Sequence, residues 1–247
     1  MAHPTKLKED AILEALCDVR LQAPSNIPEE VLIGWLIDCG SWKDWQLNRL
    51  PNSSIPYPIR HAEEGLRYQP TVELRKPSGD RLVKIGPYSF SYHIIGNYPG
   101  WDVFKRELDE AVDAVFDRIK GLSVNRLGLR YINGMDSERH QVNSVADLDL
   151  SVCVGGENVS SALNLNFVKV ATDVHTVMTR IASKEFVKGQ MGSHVSTVID
   201  VDVFTPASFE ANERNQIKDW IEKAHDFEKD AFFACLMEEH IDSLREQ

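Results

Sequence analysis

The chain has 247 residues, 43% hydrophobic and 26% charged, enough apolar content for a sizeable core and too much for a disordered chain. Its mean hydropathy of −0.30 and the lack of any run near ~18 apolar residues argue against a membrane span. The formal net charge is −11, and Pro206 to Gln247 carries 11 acidic against five basic residues, a surface that repels a phosphate backbone.

Met1 to Asp10 reaches Glu9 and Asp10 before any apolar run and so lacks a signal-peptide core, which leads us to expect a cytoplasmic protein. Ile12 to Leu21 alternates, with Ala15, Cys17, Val19 and Leu21 on one face and Leu16, Asp18 and Arg20 on the other, the pattern of a half-buried strand. Pro28, Glu29 and Glu30 then open a short helix carrying Val31, Leu32, Trp35 and Leu36 and closed near Gly40.

Ser41 to Pro70 has loop composition, with Trp42, Trp45, Tyr57 and Tyr68 as aromatic anchors among prolines and glycines. Thr71 to Lys76 and Arg81 to Ile95 flank the turn Pro77–Ser78–Gly79–Asp80 and predict a hairpin. Trp101 to Lys120 places Phe104, Leu108, Ala111, Val112, Val115 and Ile119 on one helical stripe, with Gly121 as a stop.

Val124 to Asn133 alternates again, setting Arg126, Gly128 and Arg130 opposite Leu127, Leu129 and Tyr131. Ser144 to Leu150 suggests a short helix, and three strands are predicted at Ala162 to Val170, Val174 to Ser183 and His194 to Phe204. Glu210 to about Arg245 is predicted helical, with Ile217, Trp220, Ile221, Ala224, Phe227, Ala231 and Cys235 along one face.

In this order the plan of strand, short helix, strands and long helix recurs near residue 124. The expected fold is therefore α+β: an antiparallel sheet from two similar halves, each ending in a long amphipathic helix packed on the sheet. Residues 1–247 would form one domain with an internal pseudo-repeat of 1–121 and 122–247.

A resemblance follows from particular residues: Ala11 to Ala15 leading into Val19–Arg20, Pro87–Tyr88 with Trp101 and Phe104, Arg126 to Asn133, Ile199 to Phe204, and Trp220 with His225 and Phe232–Phe233. Together they resemble a sporadically distributed, uncharacterised prokaryotic family across nearly the whole chain. The resemblance implies no activity, cofactor or catalytic residue, since none is established for that family.

Catalytic signatures do not occur in the sequence: no C-x-x-C pair, no H-E-x-x-H, no G-x-S-x-G elbow, and only a lone Gly155–Gly156 where a phosphate loop would need more. Neither a metal nor a cofactor is expected. His225 sits beside Ala224 on the last helix and reads as a packed histidine.

The sharpest constellation is charged. Arg20, Arg126, Arg130, Arg180, Asp200 and Asp202 occupy alternating strand positions and would meet across one sheet face if the strands are neighbours. Two chemistries follow: a cross-strand ion-pair ladder, or a ligand site in which arginines hold an anion. The leading expectation is a non-enzymatic binding or regulatory protein of a small prokaryotic system, acting through protein–protein contacts with a protein partner or a second copy. The alternative is a small-molecule-binding protein or enzyme with an Arg/Asp-lined pocket between sheet and helices, taking a small anionic ligand; nucleic acid ranks last on charge.

Overall fold

The computed structural model describes residues 8–24, 27–159, 162–187, 194–238 and 241. The strands are β1 (Ile12–Gln22), β2 (Gln46–Arg49), β3 (Val72–Arg75), β4 (Arg81–Gly86), β5 (Ser89–Ile95), β6 (Ser123–Met135), β7 (Cys153–Val154), β8 (Glu157–Asn158), β9 (Asn164–Thr172), β10 (His175–Ser183) and β11 (Thr197–Phe204). The α-helices are α1 (Glu29–Ile37), α2 (Tyr57–Ala62), α3 (Glu64–Arg67), α4 (Trp101–Arg118) and α5 (Arg214–Phe233).

The fold is α+β. Nine strands form one antiparallel sheet in the order β2-β3-β4-β5-β1-β6-β11-β10-β9, while β7 and β8 pair as a separate small hairpin. The centre is the β1–β6 pair, which matches Cys17 with Leu129 and Asp18 with Gly128. Because side chains alternate across a pleated strand, this register sets the face of each residue between the two irregularities of the pair, at Ile12/Glu14 and at Arg20/Leu21. Ala15, Cys17, Val19, Leu127, Leu129, Tyr131, Ile199, Val201 and Val203 all point into a single large core.

Helices cover that face. α4 buries Phe104, Leu108, Ala111, Val112 and Val115, spaced by three and four so that they form one stripe. α5 buries Ile217, Trp220, Ile221, Ala224, Phe232 and Phe233 on the same side, and the Trp220 ring stacks on His175 of β10 at 5.0 Å. Leu32 and Leu36 of α1 join the same core beside Trp42, whose indole nitrogen donates to the Leu36 carbonyl at 2.8 Å.

Several boundaries differ from those expected. The predicted strand from Arg81 to Ile95 is two strands, because the chain reverses at Pro87–Tyr88 and pairs Gly86 with Ser89. A Cβ at Gly86 would lie 2.8 Å from the Gln69 carbonyl oxygen, so the close approach of two backbones requires glycine there. Ser41 to Pro70 is not one loop: it contains β2, which pairs with β3, and the short helices α2 and α3. Ser144 caps a single 3-10 turn at Val145–Asp147 in place of the expected short helix.

α5 begins at Arg214 and ends at Phe233, shorter than the sequence suggested; positions 239–240 and 242–247 of that expected helix lie outside the described residues. Three of the four cysteines, Cys17, Cys39 and Cys235, are buried free thiols, whereas Cys153 is exposed. Among the described residues no helix is long and apolar enough to cross a membrane.

Candidate functional site: the charged open face of the sheet

The face opposite the helices carries the charged residues. In β11, Asp200 pairs in register with Ile132 of β6 and Arg180 of β10, and Asp202 with Arg130 and Met178. Period-two geometry therefore places Asp18, Arg20, Arg126, Arg130, Arg180, Asp200 and Asp202 on one side. At one end of this face Leu13 and Ile132 pack with Ala182, Val187, Val195 and Val198. The middle stays partly open: the side chains of Asp18, Arg126 and Arg130 keep 28%, 26% and 37% of their surface exposed.

Four of the six candidates come together. Arg130 grips Asp200 with two parallel bonds, Nε to Oδ1 at 2.7 Å and Nη2 to Oδ2 at 2.6 Å, the fork geometry that makes arginine–carboxylate pairs strong. Arg126 approaches Asp18 at 3.8 Å and lies over the Phe204 ring at 5.5 Å. Gly128 sits beneath them, and a Cβ there would stand 3.3 Å from Arg126 Nη1 and 3.6 Å from Asp202 Oδ1. The missing side chain lets the Arg126 guanidinium lie close over the buried Gly128 backbone, beside the Asp202 carboxyl.

The other two are on the same face but turned away. Arg20 lies over the Tyr68 ring at 4.5 Å, and Arg180, although opposite Asp200 in the ladder, donates its Nε to Asn164 Oδ1 at 3.1 Å. Since this whole set lies away from the helices, an Arg/Asp-lined pocket between sheet and helices does not form from these residues; that space holds the apolar core.

The carboxylates differ in environment. Burial pushes the Asp202 carboxyl up to about 6, against the pull of Arg126 and Arg130. Asp18 is raised for the same reason, and its Oδ1 is buried without a hydrogen-bond partner. Glu14 is held below the ordinary range: burial opposes its charge, but the His93 hydrogen bond and nearby cations outweigh it. Burial keeps His93 neutral, and a ring protonated on Nδ1 both donates to Glu14 Oε1 at 2.6 Å and accepts from Ser91 Oγ on Nε2 at 2.7 Å.

Asp202→Asn is expected to stabilise the protein by about 2 kcal/mol at pH 7.5, less than the ~3 kcal/mol of the full shift because the residue is only partly buried, and to leave it unchanged near pH 3.5. The sign follows from the raised carboxyl: between its unfolded value near 4 and about 6, the folded state holds the proton more tightly, so stability falls as pH rises through that window. Urea midpoints at the two pH values check this, and a variant equally destabilised at both would refute it.

Sequence reasoning missed Glu14 and Glu228, and gave no partner for His93, whose alternation with Tyr92 and Ile94 already set its face. Glu14 and His93 sit on the open face beside the cluster, on β1 and β5. Glu228 is buried under α5, and the position was readable, because it lies one helical turn beyond Ala224 on the apolar stripe. His225 is packed as expected, stacked on Trp101 at 3.9 Å. His93, on the open face, and His175, stacked on Trp220 on the helix side, are strand histidines that the sequence left apart and that the sheet keeps on opposite faces.

Two clefts of about 350 and 380 Å³ lie elsewhere, the first lined by Pro24, Pro28, Glu29, Tyr57 and Tyr88, the second by Trp101, Lys105, Asp109, Asp113 and Glu222. Among the described residues no group of three or more His, Cys, Asp or Glu side chains is placed to hold a metal ion. No protein-family model matches the chain, and no curated protein and no solved structure matches it either, so the resemblance noted above rests on its residues alone.

Proposed function

We propose that this protein is a non-enzymatic binding or regulatory component of a small prokaryotic system, and that its open sheet face docks a protein partner. The observation that carries the reading is the charge distribution. In a chain of net charge −11, the open face bears Arg20, Arg75, Lys84, Arg126, Arg130 and Arg180 against Glu14, Asp18, Glu73, Asp200 and Asp202, close to balance. A broad, half-desolvated face of both signs suits another protein surface with complementary charges, which fixes register and excludes wrong partners. Its cations are mostly paired within the face, which leaves no basic stripe for a nucleic-acid backbone.

The reading includes an internal repeat of 1–121 and 122–247 within one domain. It is supported by the strand order, in which β3-β4-β5-β1 on one side of the centre mirrors β9-β10-β11-β6 on the other, each meander being followed by a long helix with a buried apolar stripe. Such a repeat would make the β1–β6 seam, where Asp18 meets Arg126, the middle of the docking face.

The test is quantitative capture with the purified full chain as bait. Arg126→Glu, in the seam, should lower the yield of a stoichiometric partner at least tenfold, whereas Glu110→Lys on the exposed side of α4 should not. Failure to capture any stoichiometric partner, or equal capture by R126E, overturns the reading. The loose pairing of the partly exposed Arg126, 3.8 Å from Asp18, favours one second reading, a small anionic ligand held by its guanidinium. Inorganic phosphate or citrate would then raise the melting temperature of the wild type and not of R126A.

A further inference from the structure

The two edges of the sheet are built differently. β2 is four residues long, carries Gln46, Asn48 and Arg49, and is followed after Leu50 by Pro51; shortness, a charge and a nearby proline are features by which natural edges avoid further pairing. β9 at the other end has nine residues, Asn164–Thr172, which at ~3.4 Å per residue extend roughly 30 Å. Its Val168 and Val170 are 60% and 72% exposed on the open face, and Phe167 is 45% exposed on the helix side. Among the described residues no strand pairs with its outer edge.

We infer that β9 pairs antiparallel with β9 of a second copy, joining two sheets into one continuous sheet across a two-fold axis. The strand's own sequence selects this occupant. With Val168 on the axis, Val168 faces Val168 of the other copy, Asn166 faces Val170, and Asn164 faces Thr172. On the opposite face Phe167 meets Lys169 and Leu165 meets Ala171. Val168 and Leu165 gain apolar partners, Val170 lies opposite Asn166 and diagonal to Val168 of the other copy, and the single charge of the strand, Lys169, lies against an aromatic ring.

A register moved two residues along would set Lys169 against Lys169, which like-charge repulsion disfavours. β9 contains no acidic residue, so it is a stretch where two copies of a chain of net charge −11 approach without opposing carboxylates within the strand. Pairing would satisfy about eight outward backbone groups. Because β2 is protected, an isologous contact consumes the free edge and closes as a dimer rather than propagating as a fibre. The pairing leaves the seam at β1–β6 uncovered and does not depend on what docks there.

Sedimentation equilibrium of the full chain across a concentration series tests the inference. The expected particle has twice the 28.0 kDa chain mass, Val168→Lys should raise the dimer dissociation constant at least tenfold, and Leu47→Lys on β2 should leave it unchanged. In a Cys153→Ser background, Val168→Cys should form an intermolecular disulfide under mild oxidation and Phe167→Cys should not. A monomer at every concentration overturns the inference, as does a dimer that V168K leaves intact or that F167C crosslinks as well as V168C. If V168K fails to fold, hydrogen exchange of the wild-type chain decides: β9 amide protection must rise with protein concentration, and protection independent of concentration refutes the pairing.

Discussion

Glu228→Gln is expected to raise the unfolding free energy by roughly 3–4 kcal/mol at pH 8 and by less than about 1 kcal/mol at pH 5. Glu228 is 5% exposed on the buried side of α5, and burial pushes its carboxyl up to about 8, the Lys229 charge offsetting only part of that. The charged partner it faces is poor: His225 Nδ1 stands 3.8 Å away, beyond a hydrogen bond, and burial holds that ring neutral by lowering it to about 4. The neighbouring hydroxyls of Tyr98 and Tyr131 bond to each other at 2.9 Å.

The sign follows from linkage. Glu228 is ionised above about 4.5 when unfolded but protonated up to about 8 when folded, so unfolding releases a proton throughout that window and stability falls as pH rises. His225 acts oppositely between about 4 and its unfolded value near 6.5, since there the unfolded chain binds the extra proton and stability rises with pH. The two slopes offset each other in mild acid and leave the Glu228 loss dominant between pH 6.5 and 8. Urea unfolding of wild type and E228Q at pH 5, 6.5 and 8 measures the difference, and parallel pH profiles would show that Glu228 is not a neutral acid in the folded core.

Arg130→Ala should destabilise by about 2–3 kcal/mol, and adding Asp200→Asn should return much of that loss. Asp200 is 5% exposed, and its two oxygens are both taken by the Arg130 fork. Removing the guanidinium strands a buried carboxylate, because Arg180 across the ladder is already bound to Asn164. Breaking a fully buried pair costs ~3–5 kcal/mol, and the figure here is reduced because the Arg130 side chain is 37% exposed and screened by water. A double-mutant cycle with R130A, D200N and the pair checks it. A coupling below about 0.5 kcal/mol would reduce this contact to an ordinary surface ion pair.

Both predictions concern residues whose positions were partly readable. For Arg130, Asp200 and Asp202, strict alternation assigns one face, and the structure puts all three there. Alternation says nothing about where a long side chain ends, so it gave no warning that Arg20 would lie on Tyr68 and Arg180 on Asn164. Glu228 was lost for a different reason: its spacing fits the buried stripe of α5, but an acidic residue in an acidic helix reads as part of the solvated face. β2 was missed because Gln46–Arg49 shows no apolar alternation and becomes a strand by pairing with β3.

The amino-acid sequence by itself determined the α+β class, the faces of Ala15 to Arg20 in β1, Arg126 to Tyr131 in β6 and Val198 to Phe204 in β11, the apolar stripes of α4 and α5, and the reversal at Pro77–Asp80. All of these depend on neighbours within a few residues, through the two-residue period of strands, the 3.6-residue period of helices and the φ preferences of turn residues. Tertiary structure alone decided that β1 and β6 form the central seam, that Arg126 lies close over Gly128, that Glu228 loses its water, and that β2 is a protected edge while among the described residues no strand pairs with the outer edge of β9. Those outcomes depend on which segments distant in the chain become neighbours, and both the desolvation of a charge and the freedom of a strand edge are properties of that neighbourhood, not of the residue that experiences them.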